Sequence, residues 1–498
     1  MRNWRVSTRF LDTAGRGARL EAKEQESPVV PPDGLLEQRG EVLYAESEIA
    51  ETVATAARTK GRNQLWSVVK NAEFQIFSWS QAVSLFGDKL DYMALLAMIA
   101  FYAGKYGWDS ARAISYLSVI VAMPVVLFGP LAGILVDRWD RRKVMVVCDS
   151  ARTILVLSIP LVALATSNLY LIYAVAFLVF LCGLFFNTSR MSIIPNLVGS
   201  DHLLGANSFM SFVGRVATFL GMFLGGLIVD WKWWSHLGIK PAWTAGFYVD
   251  ALTYLVSVVA LLVIFRRLGQ KWYQRGRGRR EGPEVKLFIT QQTRMIHEVR
   301  EAFHLVRGRP SVLFVYCSVF MMVILGAAVF VLYIPIIQNT KELGSGLGLG
   351  TQGVGFVGAI GSVGLVLSSM GYGLLGHRLK KHIVMLTSFL VLGLVGAGLA
   401  VSKSFAPVAP LVFIAGLALS PVYIGMDTLL HESVPEAARG RIFSTRDWLL
   451  HLAFAVSALV IGQLTNFAST RRLLFGVSLL IAAASVFGFF LTRGKKVG

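Results

Sequence analysis

The sequence predicts an all-α membrane protein of twelve transmembrane helices arranged as two parallel six-helix repeats. Three observations carry that expectation. Of the 498 residues, 55% are apolar and 15% charged, whereas a soluble domain is nearer a quarter charged. The apolar residues fall in blocks of about 20, the length a helix needs to cross a bilayer. The second half also repeats the signals of the first, 240 residues on: Gly133 matches Gly373, Arg138 matches Arg378 and Arg141 matches Lys381. Pro195 stands 58 residues after Asp137, and Pro435 stands 58 after His377. Parallel repeats of this kind build secondary transporters, with substrate bound between the halves near the midplane.

Along the chain, residues 1–71 read as a cytoplasmic tail. Met1–Leu20 carries five arginines and no continuous apolar core, so no cleaved leader is expected there. Residues 72–266 form a first bundle, with spans near 75–103, 112–136, 143–166, 168–189, 208–230 and 244–265. Residues 267–310 form a basic linker. Its Met295, Ile296, Val299, Phe303 and Val306 make an apolar stripe beside Arg294, Arg300 and Arg307, which suits an interfacial amphipathic helix or a packed connector. Residues 311–492 form the second bundle, with spans near 312–338, 353–376, 382–402, 407–430, 445–466 and 471–492, and residues 493–498 a short basic tail.

The net charge of +19 reflects basic loops between apolar blocks. It is therefore read as topology rather than nucleic-acid binding. Loops 137–143, 266–310, 377–382 and 436–441 are the basic ones, which puts both termini in the cytoplasm and the protein in the inner (plasma) membrane, as a monomer in the lipid bilayer. Cys148, Cys182 and Cys317 lie inside apolar spans without disulfide or zinc spacing, and are read as packing residues. Trp231–Trp234 and Trp243 read as an interfacial belt.

The loop after the second span runs Gly133-Ile-Leu-Val-Asp137-Arg138-Trp-Asp140-Arg141-Arg142-Lys143. Gly133 permits close helix approach, Asp137 can face a helix N-terminus or a cation, and the arginines can meet carboxylates. This loop resembles the signature loop of the major facilitator superfamily, with Asp140 standing in a usual glycine position. LFGDKLDYMAL (85–95), IIPNLVGSDHLLGANS (193–208), FYVDALTYLVS (247–257) and LLHESVPEAARGRIFS (429–444) extend the resemblance to the superfamily's drug and siderophore exporters. It implies the major facilitator fold and proton antiport. It further implies that Asp137 braces the start of the eleventh span, where Arg441, Ser444, Thr445, Arg446 and Asp447 are candidates. Asp149 and Arg152 are grouped with this gating motif. In the fifth span, Ala217, Gly221, Met222, Gly225 and Gly226 resemble the exporters' antiporter motif with its proline lost; tight helix packing at Gly221, Gly225 and Gly226 is the reading kept.

Ionisable residues inside spans are costly and mark pathways or pairs. Asp88 and Asp91 lie mid-span, three apart on one face, and are the preferred proton-site candidates; pairing with Lys89 or Arg215 as a fixed link is the alternative. Asp250 and Asp427 are further proton or substrate candidates. Trp79, Phe86, Tyr92, Tyr248, Phe330 and Tyr423 read first as packing and second as a wall for an apolar substrate.

These readings converge on a secondary active transporter that exports an amphipathic small molecule against protons. A facilitator or lysolipid flippase of the same fold, and a non-transporting receptor or scaffold, are the alternatives. No G-x-x-x-x-G-K-[ST], no H-E-x-x-H and no nucleophile with a base appears, so an enzyme, a metal and a cofactor are not expected. The glycine-rich GSGLGLGTQG (344–353) falls in an external loop, a poor place for a nucleotide.

Overall fold

The computed structural model describes residues 70–198, 202–268, 310–338, 346–375, 379–434 and 436–492. The expected N-terminal tail up to residue 69, the linker with its amphipathic stripe, His377, Arg378, Pro435 and the tail at 493–498 lie outside the described residues.

Twelve long helices follow one another among the described residues. The first six are α1 (Ala72–Tyr106), α2 (Ser110–Arg138), α3 (Arg141–Thr166), α4 (Leu169–Val198), α5 (Leu203–Asp230) and α6 (Thr244–Leu268). The second six are α7 (Pro310–Gln338), α8 (Gly350–Leu375), α9 (Lys381–Val401), α10 (Phe405–Ser433), α11 (Glu436–Leu464) and α12 (Thr470–Thr492). Local chemistry sets their ends. Asn71 caps α1 by accepting from the Phe74 N–H at 3.0 Å, and Gly107 closes it with φ +69°. Asp109 caps α2 from Ala111 N at 3.0 Å and Arg112 N at 3.1 Å. Asp140, the residue in the glycine place of the motif, caps α3 by accepting from Arg142 N at 3.1 Å.

Eleven of these helices are long and apolar enough to cross a membrane. The twelfth, α1, is the longest at 35 residues and carries Asp88, Lys89 and Asp91 at its middle. Pro195 lies inside α4 rather than after it, and α11 begins at Glu436, ahead of its apolar stretch Thr445–Leu464, which starts where the sequence places the eleventh span.

Within the first half, α1 packs on α5 and α6, α2 on α4, and α3 on α4 and α6. Within the second, α7 packs on α11 and α12, α8 on α10, and α9 on α10 and α12. Adding six to each number turns the first list into the second, which is what parallel repeats require. The repeat reaches individual contacts. Arg141 donates to the Ser192 carbonyl at 2.9 Å, and Lys381 pairs with Glu432; each residue of the second pair stands 240 positions after its counterpart.

The halves meet where α2 packs on α11 and α5 on α8. Apolar residues of both halves form one core, in which Tyr92 of α1 meets Phe330 of α7 at 5.5 Å between ring centroids. Phe330 sits in a π-helical turn at Val329–Tyr333. The expected tryptophan belt divides: Trp231, Trp233 and Trp234 pack on one another, with Trp231 and Trp233 exposed, while Trp243 is buried against Phe101, Tyr102 and Phe247. Of the three cysteines Cys148 is buried, Cys182 half-buried and Cys317 exposed, so the packing reading does not hold for Cys317.

Candidate functional site: a buried acidic cluster in the first half

Helices α1, α3 and α6 converge at mid-span because Gly87 lets two of them touch. A Cβ there would lie 1.9 Å from Thr253 Oγ1 and 2.2 Å from Asp250 Oδ1, so only glycine fits. Asp250 therefore rests against the α1 backbone, and Thr253 donates to its Oδ1 at 3.0 Å. Asp91 is one turn further along α1. Asp91 is 2% exposed and Asp250 fully buried, and Asp91 Oδ1 and Asp250 Oδ2 have no hydrogen-bond partner among the described residues.

Arg152 of α3 supplies the counter-charge. It pairs with Asp88 and, at 3.3 Å, with Asp149 one turn before it. Its Nη2 donates to the Tyr254 hydroxyl at 2.5 Å, and its guanidinium lies 4.0 Å above the Tyr254 ring centroid. The same hydroxyl donates to Asp88 Oδ1 at 2.7 Å, which closes a triangle across α1, α3 and α6. The Asp88 side chain is 24% exposed, whereas that of Asp149 is fully buried. Four carboxyls thus gather around one bonded guanidinium. Arg190 of α4 stands within electrostatic reach of Asp88, Arg152 and Asp149. Uncompensated charges in such a setting cost several kcal/mol each, about 3–5 kcal/mol where one partner of a buried pair is removed.

The sequence-predicted site residues separate into three places. Asp88, Asp91 and Asp250 meet in this cluster. Asp149 and Arg152 join them rather than the gating motif, because they lie two to three turns beyond Arg141, about 12–16 Å along α3. The partner of Asp88 is Arg152, neither Lys89 nor Arg215. Lys89 turns its Cβ towards α5 at Gly221, and Arg215 is exposed. Asp427 belongs elsewhere, paired with Arg446 of α11 in the second half.

The motif loop ties α2, α3 and α4 together. Asp137 accepts from Arg141 at 2.8 Å, and Arg141 reaches Ser192 of α4. Asp140 pairs with Arg142 at 3.3 Å, and Arg138 is the last residue of α2. The expected brace from Asp137 to α11 is not made to Arg446, which holds Asp427 and Asp447 instead; the Arg441 and Ser444 side chains lie outside the described residues. Nor does Gly133 serve a close approach among the described residues, since a Cβ there would meet none of them within 4 Å. The small residues of α5 do pack as expected. A Cβ on Gly221 would come 2.7 Å from Phe86 O and one on Gly225 3.3 Å from Met93, both on α1, while one on Gly226 would come 2.7 Å from Thr351 O on α8.

At the Asp109 end of the bundle, hydrogen bonds cross between the halves. Thr465 Oγ1 donates to Asp109 Oδ2 at 3.0 Å, Gln463 Nε2 to the Tyr116 hydroxyl at 3.0 Å and Gln352 N to Asp230 Oδ2 at 2.8 Å. Midway, Trp448 Nε1 donates to Val126 O at 3.0 Å. At the opposite end the Asp137 side chain is 58% exposed. Of the aromatic candidates, Phe86, Tyr92 and Phe330 pack against the core, and Trp79, Tyr248 and Tyr423 are exposed.

Sequence reasoning missed Gly87, Arg190, Thr253 and Tyr254. Spacing held the signal for the last: Asp250 and Tyr254 are four apart, hence on one face of an apolar helix.

Comparison with known proteins agrees with this fold. The family model described as Major Facilitator Superfamily matches residues 81–444 and 341–497. A putative bacilysin exporter, BacE, of Bacillus subtilis (strain 168) is 25% identical over 402 residues, covering 78% of this chain and 87% of its own. The multidrug efflux pump Tap of Mycolicibacterium fortuitum is 22% identical over 403 residues, covering 78% and 89%. Among solved structures, a bacterial homologue of the human lysosomal transporter Spinster aligns with a TM-score of 0.63 at 13% identity, over 85% of this chain and 98% of that one.

Proposed function

The chain belongs to the Major Facilitator Superfamily, and we propose that it exports an amphipathic small molecule in exchange for protons by alternating access. The observation that carries the proposal is the imbalance in the buried cluster: Asp88, Asp91, Asp149 and Asp250 around the single bonded guanidinium of Arg152. Taking up protons removes charge that the membrane interior tolerates poorly, so the cluster is suited to bind and release them. Asp88, partly exposed, is the carboxyl through which protons and substrate compete for Arg152. Asp91 and Asp250, closed in by Gly87 and Thr253, hold the protons that are carried.

Topology supports the direction of the cycle. With both termini cytoplasmic, the Asp109 end is external and closed, and the Asp137 end faces the cytoplasm. A cargo would enter from the cytoplasm and leave outward after the halves rock about α2–α11 and α5–α8. The similarity to an exporter and an efflux pump supports export over import.

Uptake into inverted membrane vesicles tests this directly, with an acidic lumen imposed and a panel of drugs, siderophores and lysolipids offered. At least one compound should accumulate uphill, and accumulation should stop when the gradient is collapsed. Uphill transport that survives the collapse rules out proton antiport. Asp91→Asn and Asp250→Asn should each abolish accumulation while leaving downhill flux; a folded variant that still couples normally removes that residue from the assignment.

A further inference from the structure

The end of α5 and the start of α8 share a feature in which the acidic cluster takes no part. The first turn of any helix has N–H groups without intrahelical partners, which an Asp, Asn, Ser or Thr at the N-cap ordinarily satisfies. In α2 that residue is Asp109, bonded to Arg112 N at 3.1 Å. Helix α8 is its repeat: 240 residues on, Ser110 becomes Gly350, Arg112 becomes Gln352 and Asp109 becomes Leu349. Leucine cannot cap. Instead, Asp230 at the last residue of α5 reaches across from the other half and accepts from Gln352 N at 2.8 Å, the N–H equivalent to that of Arg112.

The surroundings are shaped for that reach. Gly350 has φ +63°, and a Cβ on it would lie 2.6 Å from Asp230 Oδ2. The segment before α8 is fixed to the end of α7, with Leu347 N bonded to Ile336 O at 2.7 Å and Leu349 N to Ile337 O at 3.0 Å. Gln338 Nε2 donates to Thr351 Oγ1 at 3.0 Å. Residues 347–352 of the glycine-rich run thus contribute to a receptor for a carboxylate of the opposite half. Where the pseudo-equivalent interface closes, Thr465 of α11 meets Asp109.

We propose that Asp230 is the external latch of the protein, a helix cap supplied in trans that holds the two halves together at the Asp109 end and is released when that end opens. The proposal rests on the alternating-access reading, and goes beyond it in naming the bond that must break.

Distance measurement between spin labels tests it, with labels at Lys105→Cys in the last turn of α1 in the first half and Lys403→Cys between α9 and α10 in the second, both exposed, in protein whose Cys148, Cys182 and Cys317 are replaced by serine. No substrate and no gradient are present. The parent should be mainly in the short-distance, closed population. Asp230→Ala, which removes the accepting oxygen, should raise the ratio of long to short distances about fivefold, the change that about 1 kcal/mol produces. Gly350→Ala, which attacks the same bond from α8, should act in the same direction and decides the matter alone if Asp230→Ala does not fold. Adding Leu349→Ser to Asp230→Ala gives α8 a cap of its own, and the opening should persist. Distributions that match the parent in both variants overturn the latch. So does an opening that Leu349→Ser abolishes, since Asp230 would then be only a local cap. Because neither cargo nor protons enter the readout, its failure leaves antiport standing, and failure of antiport leaves the latch standing.

Discussion

Removing the Arg152 guanidinium would leave Asp88 and Asp149 in the membrane interior with no bonded counter-charge. Arg152→Met is therefore expected to destabilise the folded protein by about 3–5 kcal/mol, read as a lower midpoint of thermal unfolding in detergent. Adding Asp88→Asn and Asp149→Asn to that variant should recover much of the loss, because the buried charges go with it. Gly87→Ala is expected to cost about 1–3 kcal/mol by overpacking, since its Cβ would overlap Thr253 and Asp250. The sequence made Asp88, Asp91 and Asp250 legible, because a charge inside an apolar span stands out. It did not make their partner legible. Arg152 lies near a basic loop, and its assignment to the cluster depends on how α3 packs against α1 and α6, which no local pattern encodes. Gly87 was hidden for the same reason: its need comes from Thr253, 166 positions away.

Helix α5 shows how one element divides its work by face. Gly221 and Gly225 seat it on α1 within the first half, and Gly226 seats it on α8 of the second. Gly221→Ala, with its Cβ 2.7 Å from Phe86 O, should lower thermal stability. Gly226→Ala meets Thr351 O across the interface between halves, so it should instead favour separation at the Asp109 end, measurable by the same spin-label pair. The spacing of small residues announced close packing, but not which neighbour each residue would meet. Helix ends were read less well than helix existence. Apolar length reports the part of a helix inside lipid, while α4 runs on through Pro195 and α11 begins with the polar Glu436–Arg446 stretch. The first span was legible as a helix, and α1 does cover it, but its three mid-helix charges keep it outside the eleven helices apolar enough to cross a membrane by composition.

Across the whole molecule, duplication was the most readable feature, and its uneven use the most informative. The 240-residue offset carries the starts of α2 and α8 and of α3 and α9, and even the Arg141–Ser192 and Lys381–Glu432 contacts. Yet the positions equivalent to Asp88, Asp91, Asp149 and Arg152 hold Ala328, Val331, Phe389 and Leu392, all buried and apolar. The buried charges are concentrated in one half, and the matching positions of the other are filled by apolar packing. Substrate identity was never legible, since a cavity between halves is shaped by side chains from many helices. The central claim is that the acidic cluster carries protons against cargo. It is tested most directly by running the exchange backwards: inverted vesicles are loaded with a transported compound, diluted into compound-free medium, and followed with a pH-sensitive dye in the lumen. Efflux should draw protons in and acidify the lumen of vesicles bearing the parent protein, and should leave the pH unchanged with Asp91→Asn or Asp250→Asn although the compound still escapes. Efflux from parent vesicles with no change in lumenal pH, or equal acidification in both variants, would contradict it.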